Sequence, residues 1–387
     1  ANIGAFLGTI LYSWSVVLSA RWKIFDRWFN GLDKAYQWHH ITGGWAFLAL
    51  VLHPIFLSFR SGMIGRNPLG LWWFGSNLQI NLGIISLYAM ALALPVTVFL
   101  RLKYGLFIWV HRVLGLVFYA GFLHAILSHG NMAKFAPLWW YMVGFMVLAM
   151  YAFIYHSVLG KILPHRLLYT VVANKKLAPD VMEIELEPRG RIMNYAPGQF
   201  SYVSFLGHPH NSEAHPYSMA SSPQERNLRF VVKVFGDYTK GLLKLKPGTT
   251  AKIAGPYGQF SYKRVRSRRQ VWIAGGIGVT PFLAMAKSLP KRGYDIDFFY
   301  CVQTASEAHF DTVFEALAQK KPGFKPHLFC QDRQGFISVD ALIKICNLKR
   351  TEFFICGPPP MMHALRDGLV KSGVRVSKIH FEDFSFK

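Results

Sequence analysis

Acidic side chains are almost missing from the first 160 residues of this 387-residue chain, where Asp26 and Asp33 are the only two. A water-exposed domain of that size scatters Asp and Glu over its surface, so the scarcity argues against a soluble fold for this stretch. Cysteine is absent until Cys301, and Cys330, Cys346 and Cys356 follow at no spacing that suits a metal. A disulfide framework and a zinc ribbon are thereby disfavoured, and the four thiols are expected to be reduced. No acidic loop with calcium-ligand spacing occurs. The first apolar run lacks the basic segment and small-residue cleavage site of a secretory signal.

What fills the first half is hydrocarbon. Five apolar stretches, about Gly4–Ala20, Trp38–Phe59, Leu78–Leu100, Leu106–Leu127 and Pro137–Leu159, each approach the roughly 20 residues a helix needs to cross a bilayer. The chain opens on Ala1 rather than Met, which leaves room for an upstream piece, another span included. From about residue 165 onward all four charged residue types are interspersed, as in a soluble protein. A membrane part followed by a soluble part is the economical reading, with the lipid bilayer as first partner.

The formal net charge is +23, and part of the basic excess stands near the ends of the apolar stretches. Arg21, Lys23, Arg27 and Lys34 follow the first, Arg101 and Lys103 the third, and Lys161, Arg166, Lys175 and Lys176 the fifth. These lie on one face of an alternating topology, which the distribution of Lys and Arg marks as cytoplasmic. Arg60, Arg66 and Lys134 fall opposite and weaken the contrast. Anionic headgroups account for such juxtamembrane charge, and nucleic acid is not expected as a partner. A multi-pass protein of the plasma membrane with a cytoplasmic C-terminal half is expected.

Histidine recurs within the apolar runs. His39 and His53 stand fourteen residues apart in the second, and His111 and His124 thirteen apart in the fourth. At 1.5 Å per residue these separations rise about 21 and 20 Å, so the four imidazoles form two levels. A lone histidine in a span is usually a hydrogen-bonding residue, but two matched pairs suit two irons with bis-imidazole ligation. Helical phase agrees only in part: fourteen residues return to within about 40° of the starting face, thirteen miss it by about 140°. The second ligand helix is therefore expected to bend, tilt or bulge, with Gly115 or Gly121 permitting it. His40 could stand in for His39.

The segment LDKAYQWHH with His53, His111 and His124 resembles the haem-ligand pattern of the NADPH oxidase and ferric reductase superfamily. In that family the spacings are fourteen and thirteen, which favours His39 over His40. The resemblance implies that the two irons belong to b-type haems.

Residues 166–262 alternate short β-like runs with Pro- and Gly-bearing turns, the pattern of a small antiparallel barrel. HPYSMASSP at 215–223 resembles the flavin-binding segment of ferredoxin-reductase-like proteins. The match implies that Tyr217 packs on FAD, Ser218 hydrogen-bonds near its reactive nitrogen, and His215 and Pro216 shape the approach. VKVFGDYTKGL at 232–242 fits a second flavin segment, in which amides near Thr239, Lys240 and Gly241 open a helix toward the diphosphate and Lys233 adds charge.

From residue 270 the chain alternates strands and helices, predicting a mostly parallel sheet that binds a dinucleotide at its strand ends. Gly275, Gly276 and Gly278 after an apolar strand let backbone approach a pyrophosphate. Thr280 is expected as N-cap and Pro281 as the first helical residue. Together with GPYG at 255–258 and CGPPPMM at 356–362, the family order is complete, and the resemblance places nicotinamide near Thr280 and Cys356, Gly357 and Pro358. The chain ends HFEDFSFK, where Glu382 and Phe384 match an acid-x-aromatic element. In the family this ring covers the inner flavin face; Phe386 is the competing position.

The expected architecture is a membrane α-helical bundle of at least five spans fused to a ferredoxin-reductase-like module, an antiparallel β-barrel plus an α/β nucleotide-binding domain. Boundaries are expected at 1–163, 164–265 and 266–387. The resemblance, closest to bacterial NADPH oxidase homologues of the pneumococcal type, implies catalytic roles for Phe384, Ser218, Thr280 and Cys356. It implies FAD, two haem b and NADPH or NADH as cofactors. Electrons from NAD(P)H would reach dioxygen, giving superoxide, or a ferric or cupric chelate; a haem-free flavoreductase anchored in the membrane is the rival of another class. Animal oxidases place an Arg in the helix before the first ligand helix, whereas Gly4–Ala20 has no charged residue. No obligatory activating subunit is implied. Gln303 and Thr304 stand where NADPH-preferring relatives often have Arg, so the choice of nucleotide stays open.

Overall fold

Apolar runs without acids can satisfy their backbone in hydrocarbon only as helices, and helices are what the N-terminal half forms. The computed structural model describes residues 2–100, 102, 104–128, 135–159, 167–208, 214–348 and 350–382. The chain divides into two units: Ala1–Phe25 with Lys34–Pro164, and Asp26–Asp33 with His165–Lys387. The basic residues Arg101, Lys103, Lys134, Lys161 and Arg166 lie outside the described residues.

The N-terminal helices are α1 Asn2–Leu18, α2 Lys23–Trp28, α3 Leu32–Met63, α4 Leu78–Phe99, α5 Tyr104–Leu127 and α6 Ala136–Ile154, with residues 26–33 of α2 and α3 belonging to the second unit. Four of these, α3 to α6, are long and apolar enough to cross a membrane; α1, with 17 residues, is shorter. Asn77 caps α4, its side chain accepting from the amides of Gln79 and Ile80 at 3.0 and 3.3 Å. Small residues bring α1 against α3: a Cβ on Gly8 would lie 2.7 Å from Leu50 Cγ, and one on Gly43 would lie 3.2 Å from Ser15 Oγ. Large apolar side chains face outward instead, with Trp45 60% and Trp109 67% exposed, an arrangement that suits lipid rather than water.

Of the bend, tilt or bulge expected in α5, the bulge is not found. The helix runs unbroken from Tyr104 to Leu127. Its glycines serve packing: the Phe153 ring occupies the space a Gly115 side chain would need, and Ser86 Oγ lies 3.0 Å from a Cβ on Gly121.

The second unit holds two sheets. Six antiparallel strands follow the order β4-β3-β6-β1-β2-β5, with β1 Leu167–Ala178, β2 Val181–Pro188, β3 Phe200–Phe205, β4 His215–Ser218, β5 Leu228–Lys233 and β6 Thr250–Tyr257. A bridge between Met219 and Phe230 joins the two edges and curls the sheet. Tyr169, Ile184, Leu186, Val203, Phe205 and Ile253 fill its inside. A five-stranded parallel sheet follows, ordered β11-β10-β7-β8-β9, with β7 Arg269–Gly275, β8 Asp295–Val302, β9 Phe324–Cys330, β10 Glu352–Cys356 and β11 Ile379–Glu382.

Between β5 and β6 stands α7, Gly236–Leu242; the parallel sheet carries α8 Thr280–Ser288, α9 Asp311–Lys320, α10 Val339–Ile345 and α11 Pro359–Lys371. Phe282 of α8 and Phe314 of α9 pack with Trp272 and Phe298. Leu342 of α10 and Leu365 of α11 pack with Ile273, Phe299 and Ile355 on the other face. Both faces are thus covered, which is why these strands read as continuous apolar runs.

Asp297 is a buried charge within this sheet. Asp297 on β8 accepts from His327 at 2.9 Å and pairs with Arg269, which also reaches Asp295 at 3.2 Å. Burial alone would push the Asp297 carboxyl up, but the hydrogen bonds from His327 and Arg269 and their charge bring it below its ordinary value. A depressed carboxyl stabilises the fold above its unfolded pKa of about 3.9, and that contribution fades as pH falls through the folded value. Asp297→Asn is therefore expected to lower the thermal midpoint at pH 7, with a deficit that shrinks below about pH 4. A deficit equal at both pH values, measured by scanning calorimetry, would refute the ion-pair account.

Candidate functional site

Two loops meet at the carboxyl ends of the parallel strands. In the paired register Cys356 of β10 lies beside Ala274 of β7, so the turns that follow them come together. The chain leaves β7 through a tight turn, Gly276–Val279, and enters α8 directly. Glycine is required by contact here: a Cβ on Gly278 would lie 2.6 Å from the Cys356 carbonyl carbon and 2.8 Å from Gly357 Cα. A Cβ on Gly275 would lie 2.8 Å from Pro358 Cδ, and one on Gly357 2.9 Å from Gly275 Cα. Gly276 differs: it is open to solvent and has φ +53. Gly275, Gly276, Gly278, Thr280, Pro281, Cys356, Gly357 and Pro358 are thus brought to one seam of bare backbone beside the start of α8.

The helix begins one residue earlier than expected. Val279 is the N-cap, Thr280 has helical φ −58 and ψ −48, and Pro281 follows as the second residue. The turn before α8 already delivers the chain in helical conformation, so no side-chain cap is formed. Thr280 and Pro281 are both buried. Cys301 and Cys346 are thiols whose burial pushes their ionisation up, Cys346 to about 11, and none of the four cysteines forms a disulfide. Among the described residues no group of three or more metal-ligating side chains gathers.

β4 presents the second cluster. Phe200 of β3 pairs with Ser218, and Ser201 with Tyr217. The hydroxyls of Tyr217, Ser218 and Ser201 are buried without a hydrogen-bond partner. Burial keeps the Tyr217 phenol protonated by pushing its pKa up. Orphaned buried hydroxyls are rare in native folds and mark a place where an absent polar group belongs. Tyr217 and Ser218 are the pair the resemblance assigns to flavin, so these residues fit it. Glu382, at the end of β11, pairs with Cys356, and its Oε1 lies 3.4 Å from a Cβ on Gly258 of the GPYG segment. Phe384 and Phe386 lie outside the described residues.

The second flavin segment departs from expectation. Gly236, at φ +83, starts α7, so Thr239, Lys240 and Gly241 fall within the helix rather than at its opening. The Thr239 hydroxyl accepts from the Phe235 amide at 2.6 Å. Lys233 sits exposed, 3.5 Å from Asp180, and its charge is engaged there. Gly241 has a packing cause, because the ring of His208 occupies the space its Cβ would need. His208 is buried, 3.1 Å from the Tyr238 carbonyl, and Tyr238 lies between the rings of His208 and His215 at 4.5 and 3.7 Å.

Sequence reasoning passed over both His208 and Asp26. Residues 26–33 fold with the second unit, where Asp26 accepts from the Gly258 amide at 3.0 Å and from Gln259 Nε2 at 2.6 Å. Burial pushes its carboxyl up despite those donors. The one available signal was its rarity as an acid in that half of the chain.

In the helical unit the ring centroids of His39 and His111 are 5.8 Å apart. An iron between two imidazoles, with metal–nitrogen bonds of about 2 Å, separates the ring centres by about 6 Å, so the pair fits a bis-histidine haem. His39 Nδ1 lies 2.8 Å from the Ser15 carbonyl, while His111 Nδ1 is buried without a partner. His40 is exposed, its ring 5.4 Å from that of His39. His124 Nδ1 lies 2.7 Å from the Gln79 carbonyl. His53 stands on α3, about one and a half turns beyond its midpoint and beside Pro54.

Comparison with known proteins follows this division. Residues 5–122 match the ferric reductase like transmembrane component, 167–261 the FAD-binding domain and 272–367 the oxidoreductase NAD-binding domain. The flavohemoprotein of Halalkalibacterium halodurans is 28% identical over 222 residues, which are 50% of this chain and 53% of the relative. That of Rhizobium meliloti is 28% identical over 243 residues, 55% of this chain and 59% of the relative. The chain thus spans between half and three-fifths of these relatives. Among solved structures, flavohemoglobin from Malassezia yamatoensis with bound FAD and heme is similar in fold at TM-score 0.57 and 18% identity, over 98% of this chain and 94% of that one. The cytochrome b5 reductase domain of Ulva prolifera nitrate reductase gives TM-score 0.50 at 22% identity, over 57% and 98%. One chain thus carries matches to a ferric-reductase-like transmembrane component, an FAD-binding domain and an oxidoreductase NAD-binding domain.

Proposed function

We propose that the protein is a transmembrane NAD(P)H oxidase that takes electrons from cytosolic NAD(P)H through FAD and two b-type haems to extracellular dioxygen, producing superoxide. The observation that carries this reading is the His39–His111 pair, set 5.8 Å apart between two apolar helices of a chain that also carries a nucleotide-type parallel sheet. When bound, FAD would supply the conversion of one hydride, two electrons at a time, into single electrons, and the haems would supply a one-electron path. The protein's own share is placement. Bare backbone at Gly275, Gly278 and Gly357 admits the dinucleotide, and Thr280, Cys356 and Pro358 border the nicotinamide. The orphaned hydroxyls of Tyr217 and Ser218 would receive the flavin, and the resemblance gives Phe384 the role of its cover. His39 with His111, and His53 with His124, hold the two irons.

A second reading, a ferric- or cupric-chelate reductase of the same build, is favoured by one observation: α1 carries no charged side chain to assist oxygen. The two readings separate in a paired assay on purified protein. We expect NAD(P)H-driven dye reduction that superoxide dismutase abolishes, faster than anaerobic ferric-chelate reduction. Rapid reduction of the chelate with no oxygen consumption would transfer the assignment to the second reading. A purified protein with a flavin spectrum and no haem bands would sink both, leaving a membrane-anchored flavoreductase that feeds a partner.

A further inference from the structure

Thirteen residues of regular helix turn a side chain by about 140°, and unbroken α5 shows where that turn leads. His111 faces His39 of α3, while His124 lies against α4. His124 Nδ1 stands 2.7 Å from the Gln79 carbonyl, in the first turn of α4. A carbonyl oxygen only accepts, so Nδ1 carries the proton and Nε2 is left bare. The ring reaches that carbonyl because residue 83 has no side chain. A Cβ on Gly83 would lie 2.9 Å from both Cε1 and Nδ1 of His124 and 3.2 Å from Cγ.

The first ligand helix repeats the device. His39 Nδ1 lies 2.8 Å from the carbonyl of Ser15, in the last turn of α1. Carbonyls of a last turn lack full helical partners, and the Ser19 amide approaches this one only to 3.3 Å. Ser15 Oγ in turn donates to the His39 carbonyl at 3.1 Å and lies 2.9 Å from Nδ1.

We propose that α1 and α4, which carry no ligand, set the tautomer and ring orientation of His39 and His124 through the Ser15 and Gln79 carbonyls, with Gly83 as the positioning residue that gives His124 its seat. This inference rests on the haem-ligand reading above. An N–H···O=C bond on the far side of a ligating imidazole raises the basicity of its metal-facing nitrogen and fixes the ring. Stronger donation favours the ferric state, so loosening either bond raises the potential of that haem alone.

The test uses full-length protein in nanodiscs, loaded with haem, and two readouts: midpoint potentials by spectroelectrochemical titration, and low-spin EPR g values. Gly83→Ala is expected to keep two haems per chain while shifting the reduction equilibrium of one about tenfold, ~59 mV for one electron, and moving its g values. The other haem and the flavin stay unchanged. Gly144→Ala, on α6 with open space around its Cβ, is expected to shift neither haem. Ser15→Ala removes only a hydroxyl and keeps the carbonyl; it is expected to shift the His39 haem about threefold and leave the other alone. That variant stays informative should Gly83→Ala not assemble. Unchanged potentials and g values in haem-replete variants would overturn the inference and leave the proposed function standing. Wild-type protein that binds no haem would end both.

Discussion

Replacing His124 with alanine is expected to lower haem content from two per chain to one while flavin reduction by NAD(P)H proceeds at its normal rate. The ring contributes one of only two protein bonds to its iron in the proposed arrangement, and methyl cannot replace it. A haem retained by a single imidazole would in any case change spin state, because the second axial position would be open. His53→Ala is expected to give the same result, since both residues serve one level. His39→Ala and His111→Ala should instead remove the other haem, which sits nearer the flavin in the proposed path. Pyridine haemochrome stoichiometry and stopped-flow flavin spectra measure the two halves of the claim separately. In all four variants electron delivery to the far side is lost. Two haems per chain in His53→Ala or His124→Ala would remove those residues from the ligand set.

How much of this was legible in the sequence depends on whether the signal is local. Apolar runs predict spans because hydrocarbon leaves the backbone no alternative to a helix, and α3 to α6 appear where those runs stand. The first run yields the shorter α1, ending at Leu18. The parallel sheet was equally visible: strands such as QVWIAG are apolar without alternation because helices cover both faces. Of the bend, tilt or bulge expected in α5 to bring His111 and His124 to one face, the bulge is not found. The helix is continuous from Tyr104 to Leu127, and the two rings address different neighbours.

At the site, motifs were readable and their supports were not. Gly275, Gly278 and Gly357 could be named from loop composition, but only the paired register of β7 with β10 puts them in mutual contact. The opening of α7 was misplaced by three residues, because the positive φ at Gly236 cannot be told in sequence from an ordinary loop glycine. Asp26 meets Gly258 across 232 residues, and no pattern of neighbours announces a hydrogen bond of that span. Gly83 and His208 likewise matter through a ring that fills, or needs, an empty Cβ position. Each is an effect of shape, which appears only once distant segments are folded together.

Gly278→Ala is expected to reduce the rate of hydride transfer by about a hundredfold or more, with FAD content near normal. The added methyl would lie 2.6 Å from the Cys356 carbonyl carbon and 2.8 Å from Gly357 Cα. Both obstacles are backbone atoms held by strand pairing, so neither can swing aside as the tip of a long side chain would. The two loops must separate by several tenths of an ångström at the point where nicotinamide is proposed to lie. Misplacement approaching 1 Å costs about a hundredfold when a reaction depends on close approach of two atoms. Gly276→Ala supplies the contrast, because its Cβ meets nothing within 4 Å and the cost is left-handed backbone strain of about 1–2 kcal/mol. That variant is expected to lose stability but keep most of its hydride-transfer rate. Anaerobic stopped-flow with saturating NADH and NADPH decides between them. Equal rates in the two variants would show that the seam between the β7 and β10 loops is not where the nucleotide reacts.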